Sequence, residues 1–184
     1  MRSGGSRAGT ADQDRGPPRA MRLLIIRHAI AVPRGTPGIP DDERPLTPAG
    51  RKRFQTAARG LARVARRPDV LLTSPLPRAL ATAEIAAAAW GRVRPRKAPA
   101  LATGSVKRVL TVLTAQPADA TVAVVGHEPS LSALLAHLVS ASRSERLTFR
   151  KGGAALVELA ESPAKGGRLL WYLPPKILRR LGRR

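Results

Sequence analysis

The chain contains no cysteine, and this absence excludes two kinds of site. Disulfide bonds and thiolate zinc sites both require cysteine, so a small secreted domain held together by disulfides is not expected. Asp and Glu total only 12 and are scattered, and the three histidines are His28, His127 and His137. This pattern is not typical of a metal site. We therefore predict a cytoplasmic protein that uses no metal and no cofactor.

Aromatic residues make up only 3% of the chain, and long apolar runs are missing. A basic groove that stacks on nucleic-acid bases needs aromatic side chains, so specific nucleic-acid binding is not expected. No segment approaches the ~20 apolar residues of a membrane-spanning helix, so no membrane span is expected. The 184 residues, 43% of them apolar, suffice for one domain with a core of Leu, Val, Ile and Ala.

The formal net charge of +21 is distributed along the whole chain rather than confined to one tail. One interpretation is an anionic partner, such as phosphate, nucleic acid or an anionic membrane. The other is a codon bias that supplies arginine and alanine everywhere. The charge is compatible with both interpretations.

The composition divides the chain into three parts. Residues 1–20 are poor in apolar side chains and predict a disordered extension, and they lack the hydrophobic segment of a signal peptide. Residues 21–173 carry the apolar periodicity of a folded domain. Residues 174–184 are strongly basic and predict a frayed tail.

Short apolar runs alternate with amphipathic stretches within the predicted domain. Strands are predicted at residues 23–26, 70–72 and 121–125, and a late hairpin at 154–159 and 169–173. Thr47-Pro48 is typical of a helix start, and further helices are predicted at residues 77–89, 106–113 and 131–138. This alternation predicts an α/β sandwich with a mainly parallel sheet.

Three of the predicted strands end in residues suited to phosphate. The first ends at Arg27-His28, the second at Ser74 with Arg78 four residues later, and the third at Gly126-His127. The carboxyl ends of parallel strands meet at one edge of a sheet, where ligands bind. We therefore expect these groups to converge on one site.

The residue types in this site suit phosphoryl transfer without a metal. A neutral imidazole nitrogen can attack phosphorus and form a phosphohistidine. The phosphoryl oxygens need fixed cations and hydrogen-bond donors, which Arg27 and Arg78 can supply bidentately. His127 can donate a further hydrogen bond, because its position in a strand-to-helix turn favours anions.

Four segments, in this order, resemble motifs of the histidine phosphatase (phosphoglycerate mutase-like) superfamily. They are Arg27-His28-Ala29, Arg44-Pro45-Leu46-Thr47, Ser74-Pro75-Leu76-Pro77-Arg78-Ala79 and Gly126-His127-Glu128-Pro129. In length and pattern the chain is most similar to the SixA-like phosphohistidine phosphatases. One departure is Ala29, where the superfamily usually has glycine.

This resemblance implies a fold and a set of roles. The fold would be a three-layer α/β/α sandwich. His28 would be the nucleophile, Arg27, Arg78 and His127 would bind the phosphoryl group, and Arg44 would lie near the pocket mouth. The substrate would be a phosphorylated protein or a small phosphorylated molecule.

A second departure concerns the proton donor. Larger superfamily members place a carboxylate in the interval that here runs from Glu84 to Asp119, and this chain has no Asp or Glu between those positions. Without a general acid, expelling an alcohol is difficult, whereas a phosphoramidate nitrogen leaves more readily once protonated. The gap therefore favours phosphohistidine, aryl or acyl phosphates. Asp41, Asp42 or Glu43 could substitute as the acid.

Three functions are compatible with these features. The first is a phosphohistidine phosphatase acting on proteins. The second is a broad phosphomonoesterase for small molecules, which would need an acid from residues 41–43. The third is a non-catalytic phosphate- or nucleic-acid-binding protein, against which the retained His28 argues. His137 is interpreted as structural, and Glu128 either tunes His127 or is an exposed loop carboxylate.

Overall fold

The apolar runs form the strands of one central sheet. The computed structural model describes residues 20–91, 93–159 and 162–183, so the predicted disordered extension lies, except for residue 20, outside the described residues. Within the described part, one six-stranded sheet has the order β3-β2-β4-β1-β5-β6. The strands are β1 (Arg22–Arg27), β2 (Val70–Thr73), β3 (Pro95–Lys97), β4 (Thr121–Gly126), β5 (Ala154–Leu159) and β6 (Gly167–Leu173).

The sheet is mainly parallel, as the sequence predicts. β1 pairs in parallel with β4, β4 with β2, and β2 with β3. β5 and β6 form the predicted late hairpin, and β5 lies antiparallel to β1. β1 and β4 are therefore central strands, each paired on both edges, and their carboxyl ends are adjacent.

Helices cover both faces of the sheet and complete a three-layer sandwich. They are α1 (Pro48–Val64), α2 (Pro77–Trp90), α3 (Val106–Thr114), α4 (Ser130–Leu138) and α5 (Pro175–Leu181). Because side chains alternate along a strand, Leu24 and Ile26 of β1 join the core under α1, α2 and α5. Leu23 and Ile25 join the core under α3 and α4. None of the helices in the described ranges has the length and hydrophobicity needed to span a bilayer.

The helix start predicted at Thr47-Pro48 is confirmed. Thr47 is the N-cap of α1, and its side-chain oxygen accepts a hydrogen bond from the Gly50 amide at 2.9 Å. Pro48 occupies the first helical position, where a missing amide proton costs nothing. This cap fixes the point at which the chain leaves the loop of residues 31–46 and enters α1.

The end of the chain differs from the prediction of a frayed tail. Residues 175–181 form α5, whose Leu178 is fully buried in the core under α1. The two helices touch through glycines: a Cβ on Gly60 would lie 1.9 Å from the Leu178 carbonyl oxygen, and one on Gly182 would lie 1.9 Å from that of Thr56. The basic composition of the last residues hides this packing, because Leu178 is the one buried side chain of a helix that also carries Lys176, Arg179 and Arg180.

Candidate active site

The three strand ends singled out in the sequence meet at one edge of the sheet. β4 lies between β2 and β1, so the residues that follow these strands are neighbours. The amide of His28 donates to the Gly126 carbonyl at 3.0 Å, and the amide of Ser74 donates to the Val125 carbonyl at 2.9 Å. The ladder thus continues past the strand ends and fixes the backbone beneath the site.

The two site histidines are close together and largely buried. The ring centroids of His28 and His127 are 5.0 Å apart, and the ring planes are inclined by 50°. Burial, together with the nearby His127, Arg78 and Arg27, lowers the pKa of His28 to about 3, although its hydrogen bond to the Ala29 carbonyl opposes the shift. Burial, followed by Arg78, Arg27 and Arg44, lowers the pKa of His127 to about 4. Both imidazoles are therefore neutral at physiological pH.

One hydrogen bond assigns the proton on His28. Its Nδ1 lies 2.7 Å from the carbonyl oxygen of Ala29, which can only accept, so Nδ1 carries the hydrogen and Nε2 keeps a free lone pair. The Ala29 amide donates to Thr82 Oγ1 at 3.0 Å, and Thr82 Oγ1 donates to the Arg78 carbonyl at 2.6 Å. These contacts join the segment after β1 to the helix that carries Arg78.

His127 is held by Ser74. The His127 Nε2 atom lies 2.8 Å from Ser74 Oγ, which also accepts from the Leu76 amide at 3.3 Å. The Ser74 hydroxyl keeps its own proton and a second lone pair, so this contact is compatible with a hydrogen on either nitrogen of the neutral His127 ring. The Nδ1 atom of that ring is buried and has no hydrogen-bond partner.

Arg27 reaches from the end of β1 to a loop more than 120 residues later. Its Nη1 donates to the Phe149 carbonyl. The same loop is fixed to β1 through its backbone, because the Gly152 amide donates to the His28 carbonyl at 3.1 Å and the Arg27 amide donates to the Gly153 carbonyl at 3.1 Å. Burial lowers the pKa of Arg27, although a guanidinium remains charged.

Arg78 and Arg44 share one partner in the loop of residues 31–46. Arg78 Nη1 donates to the Asp41 carbonyl at 2.7 Å, and Arg44 Nε donates to Asp41 Oδ1 at 3.0 Å. Arg34 donates to both oxygens of the same carboxylate. Arg44 also donates to the Val32 carbonyl at 2.7 Å and is buried. The arginine expected near the pocket mouth therefore lies beside Asp41 and Arg78.

Three buried nitrogens of this site lack a hydrogen-bond partner. They are Arg27 Nε, Arg78 Nε and His127 Nδ1, and the described residues show no other buried side-chain nitrogen or oxygen in this condition. An unsatisfied buried donor costs about 1–3 kcal/mol. All three residues act electrostatically on His28, and an oxyanion bound beside it would supply the acceptors that the two guanidinium groups lack.

Comparisons with known proteins agree with this geometry. Residues 23–106 match the model of the histidine phosphatase superfamily (branch 1). An uncharacterized protein of Picosynechococcus is 35% identical over 136 residues, which cover 72% of this chain and 82% of that relative. The chain belongs to the histidine phosphatase superfamily. The matched model spans the segments with Arg27, His28, Arg44 and Arg78.

Solved structures place this histidine phosphatase near SixA. The protein histidine phosphatase SixA in complex with tungstate has 26% identity and a TM-score of 0.73, covering 86% of this chain and 99% of SixA. A proposed phosphohistidine phosphatase SixA from Nakamurella multipartitia has 26% identity and a TM-score of 0.69, covering 87% and 99%. The family and these neighbours support phosphatase activity through a histidine.

Several contacts of this histidine phosphatase site could not be identified from the sequence. The sequence makes Asp41 a candidate acid, whereas in the structure its carboxylate binds Arg34 and Arg44 and contacts Arg78. The loop of residues 148–153 contains no recognisable motif in the sequence. In the structure its Phe149 carbonyl accepts a hydrogen bond from Arg27, and its backbone fixes the end of β1. Only the run Lys151-Gly152-Gly153 signals a tight turn there, and Gly152 does adopt a φ of +79°.

Proposed function

We propose that this protein is a metal-independent phosphatase that forms a phosphohistidine on His28 and removes phosphate from phosphohistidine on proteins. The observation that carries the proposal is the set of three unpartnered buried nitrogens on Arg27, Arg78 and His127. Arg27, Arg78 and His127 are three of the four residues that the superfamily motifs assign to phosphate chemistry. The fourth, His28, has a neutral ring with its Nδ1 atom engaged and its Nε2 atom free.

In the first step, His28 Nε2 attacks the phosphorus atom of the substrate. A nitrogen–phosphorus bond forms on His28 while the bond from phosphorus to the leaving nitrogen or oxygen breaks, and the leaving group departs with the electron pair and takes up a proton. The Nδ1–H···O=C bond to Ala29 stabilises the positive charge that develops on the His28 ring. A lowered pKa keeps the nucleophile unprotonated.

In the second step, a water molecule attacks the phosphohistidine. An oxygen–phosphorus bond forms as the bond to His28 Nε2 breaks, the two protons of the water stay on the phosphate, and inorganic phosphate leaves with the neutral imidazole restored. Arg27 and Arg78 offer guanidinium donors to the equatorial oxygens in both steps, and His127, with the Ser74 hydroxyl donating to its Nε2, offers Nδ1–H. Tungstate, an oxyanion of similar charge and shape, is the ligand in the SixA complex to which this chain is similar.

The substrate class follows from the available proton donors. The Asp41 carboxylate has its pKa lowered by its hydrogen bond to Arg34 and by the charge of Arg44 and Arg34, so it is anionic at neutral pH and a poor acid. No Asp or Glu occurs between Glu84 and Asp119. A phosphoramidate, whose nitrogen takes its proton from solvent, is therefore a better substrate than an alkyl phosphate.

The proposal is tested by steady-state hydrolysis in the presence of EDTA. Substrates are a phosphohistidine-carrying protein, p-nitrophenyl phosphate and an alkyl phosphate, and the enzymes are wild type, His28→Ala and the control His137→Ala. His137 is an exposed residue of α4, so its replacement leaves the rates at the wild-type level. We expect wild type to act best on phosphohistidine and His28→Ala to lose at least ~10²-fold.

Three results would contradict the proposal. Wild-type rates in His28→Ala would show that His28 is not the nucleophile. A preference of wild type for the alkyl phosphate would show that a general acid operates and that the protein is a broad phosphomonoesterase. If wild type binds tungstate but hydrolyses none of the three substrates, the non-catalytic binding function takes first place.

A further inference from the structure

Glu128 connects the segment that carries His127 to the loop that holds Arg27. It follows His127 directly in the chain, and its side chain is partly buried rather than exposed. Its Oε2 accepts from the Ser132 hydroxyl at 2.6 Å, which fixes the carboxylate against the first turn of α4. Its Oε1 accepts from the Phe149 amide at 2.7 Å. One carboxylate thus joins the segment after β4 to the loop of residues 148–153.

The contact with residue 149 leads directly to Arg27. The Phe149 amide donates to Glu128, and the Phe149 carbonyl accepts from Arg27 Nη1. Phe149 is therefore the partner of both Glu128 and Arg27. Because the Glu128 carboxylate fixes the position of Phe149, it also fixes the carbonyl that binds the Arg27 guanidinium. Tyr172 supports the same loop, since its hydroxyl donates to the Thr148 carbonyl at 2.7 Å.

We propose that Glu128 is a positioning residue for phosphate binding, which holds Arg27 in place through the backbone of Phe149. The inference rests on the proposed function, because the oxyanion that Arg27 would bind is the phosphoryl group. Glu128 does not touch the substrate. Its effect is to fix the plane of the Arg27 guanidinium, on which bidentate recognition of an oxyanion depends.

The arrangement requires a side chain at residue 128 that is long enough to contact both Ser132 and Phe149, and a negative charge alone does not suffice. A glutamine has the same length and retains an oxygen that accepts from the Phe149 amide. An aspartate retains the charge but is one methylene shorter, so it cannot hold both Ser132 and Phe149 in their present positions. Alanine removes the acceptor and leaves the Phe149 amide unsatisfied, which releases the carbonyl that holds Arg27.

The test measures tungstate affinity by calorimetry, a readout that does not depend on turnover. We expect Glu128→Gln to bind within about threefold of wild type, and Glu128→Asp and Glu128→Ala to bind about tenfold more weakly. Asp69→Ala is the matched control for Glu128→Ala, because Asp69 Oδ2 also accepts from the amide of another segment, Thr121 at 2.8 Å, at the opposite end of the sheet. It should change the melting temperature without changing tungstate affinity.

A double-mutant cycle separates positioning from general damage to the fold. If Glu128 acts through Arg27, the tenfold effect of Glu128→Ala shrinks to about twofold when Arg27 is already replaced by lysine. An equal factor in both backgrounds, or wild-type affinity in Glu128→Ala, overturns the inference. If Glu128→Ala does not fold, Glu128→Asp replaces it in the cycle.

The same experiment distinguishes failure of the inference from failure of the proposed function. If wild type binds tungstate and hydrolyses phosphohistidine but the aspartate variant matches it, only the role of Glu128 is wrong. If wild type binds no tungstate, the proposed phosphate site itself is wrong and the role of Glu128 falls with it.

Discussion

The imidazole rings of His28 and His127 lie with their centroids 5.0 Å apart at the carboxyl ends of two adjacent parallel strands. Both rings are largely shielded from water, and Arg27 and Arg78 lie close enough to repel protons from each. An ionised pair would place two more positive charges beside two guanidinium groups. The arrangement therefore requires both rings to be neutral until an anion arrives.

The first prediction concerns the ionisation of these rings in the free protein. Because their pKa values are about 3 and about 4, neither ring should titrate between pH 8 and 5. Nuclear magnetic resonance of the imidazole nitrogens should show the hydrogen of His28 on Nδ1 throughout this range. A titration of His28 centred near 6.5 would contradict the burial that lowers its pKa.

The second prediction links the same pKa values to stability. Unfolded histidines titrate near 6.5, so below that pH the unfolded chain binds protons that the folded chain does not, and stability falls as the pH falls. Each ring contributes a slope of up to about 1.4 kcal/mol per pH unit between pH 6.5 and its folded pKa. Denaturant unfolding at several pH values checks this.

The variants His28→Asn and His127→Asn separate the contribution of the two histidines to the pH dependence of stability from the contribution of the carboxylates. Each replacement removes one titrating ring. The slope of the free energy of unfolding against pH, measured between pH 6.5 and 5, should therefore decrease by up to about 1.4 kcal/mol per pH unit in each variant. Unchanged slopes in both variants would show that these rings are not the source.

The third prediction concerns Asp41 and the identity of the acid. Asp41→Asn should lower the rates with p-nitrophenyl phosphate and with an alkyl phosphate by the same factor, about three- to tenfold, because the change disturbs Arg44 and Arg78 rather than proton donation. Asp119→Asn, the same change at an exposed aspartate outside the site, is the matched control. A loss confined to the alkyl phosphate would identify Asp41 as a general acid.

The fourth prediction concerns the contact between α1 and α5. Gly60→Ala would place a methyl group 1.9 Å from the Leu178 carbonyl oxygen, so α5 must shift. We expect a loss of about 1–3 kcal/mol in the free energy of unfolding, or about 2–4 °C in melting temperature for each kcal/mol. Gln55→Ala, at an exposed position of α1, should have little effect. Equal melting temperatures for the two variants would contradict the close approach.

The strands and most helices could be predicted because their signals are local. β5 has the predicted bounds, and the predicted strand at 23–26 lies within β1. Thr47 caps α1 through its own side chain, which needs only a partner three residues away. α5 is absent from the prediction because Ile177, Leu178 and Leu181 span only one helical turn, which is too short a signal among basic residues, and because its stability comes from tertiary packing against Gly60.

The convergence of the four motif residues could also be predicted, because parallel strand order brings strand ends together. The partners of those residues could not. Arg27 and Phe149 are 122 positions apart, and Arg78 and Asp41 are 37 positions apart, so no local spacing relates them. Glu128 illustrates the difference: its two possible roles in the sequence were tuning of His127 or exposure, and its contacts are with Ser132 and Phe149.

Backbone hydrogen bonds close the loop of residues 31–46 at its base. Ala31 and Leu46 form a β-bridge, the Val32 amide donates to the Pro45 carbonyl at 2.9 Å, and the Thr47 amide donates to that of Ile30 at 3.0 Å. Residues at the tip can therefore change in number or type while β1 and α1 stay where they are. Asp41 is the exception, because it contacts both Arg44 and Arg78. For evolution and for protein engineering, the loop is thus a replaceable segment with one fixed anchor, and a graft that keeps Asp41 in place leaves the phosphate site undisturbed.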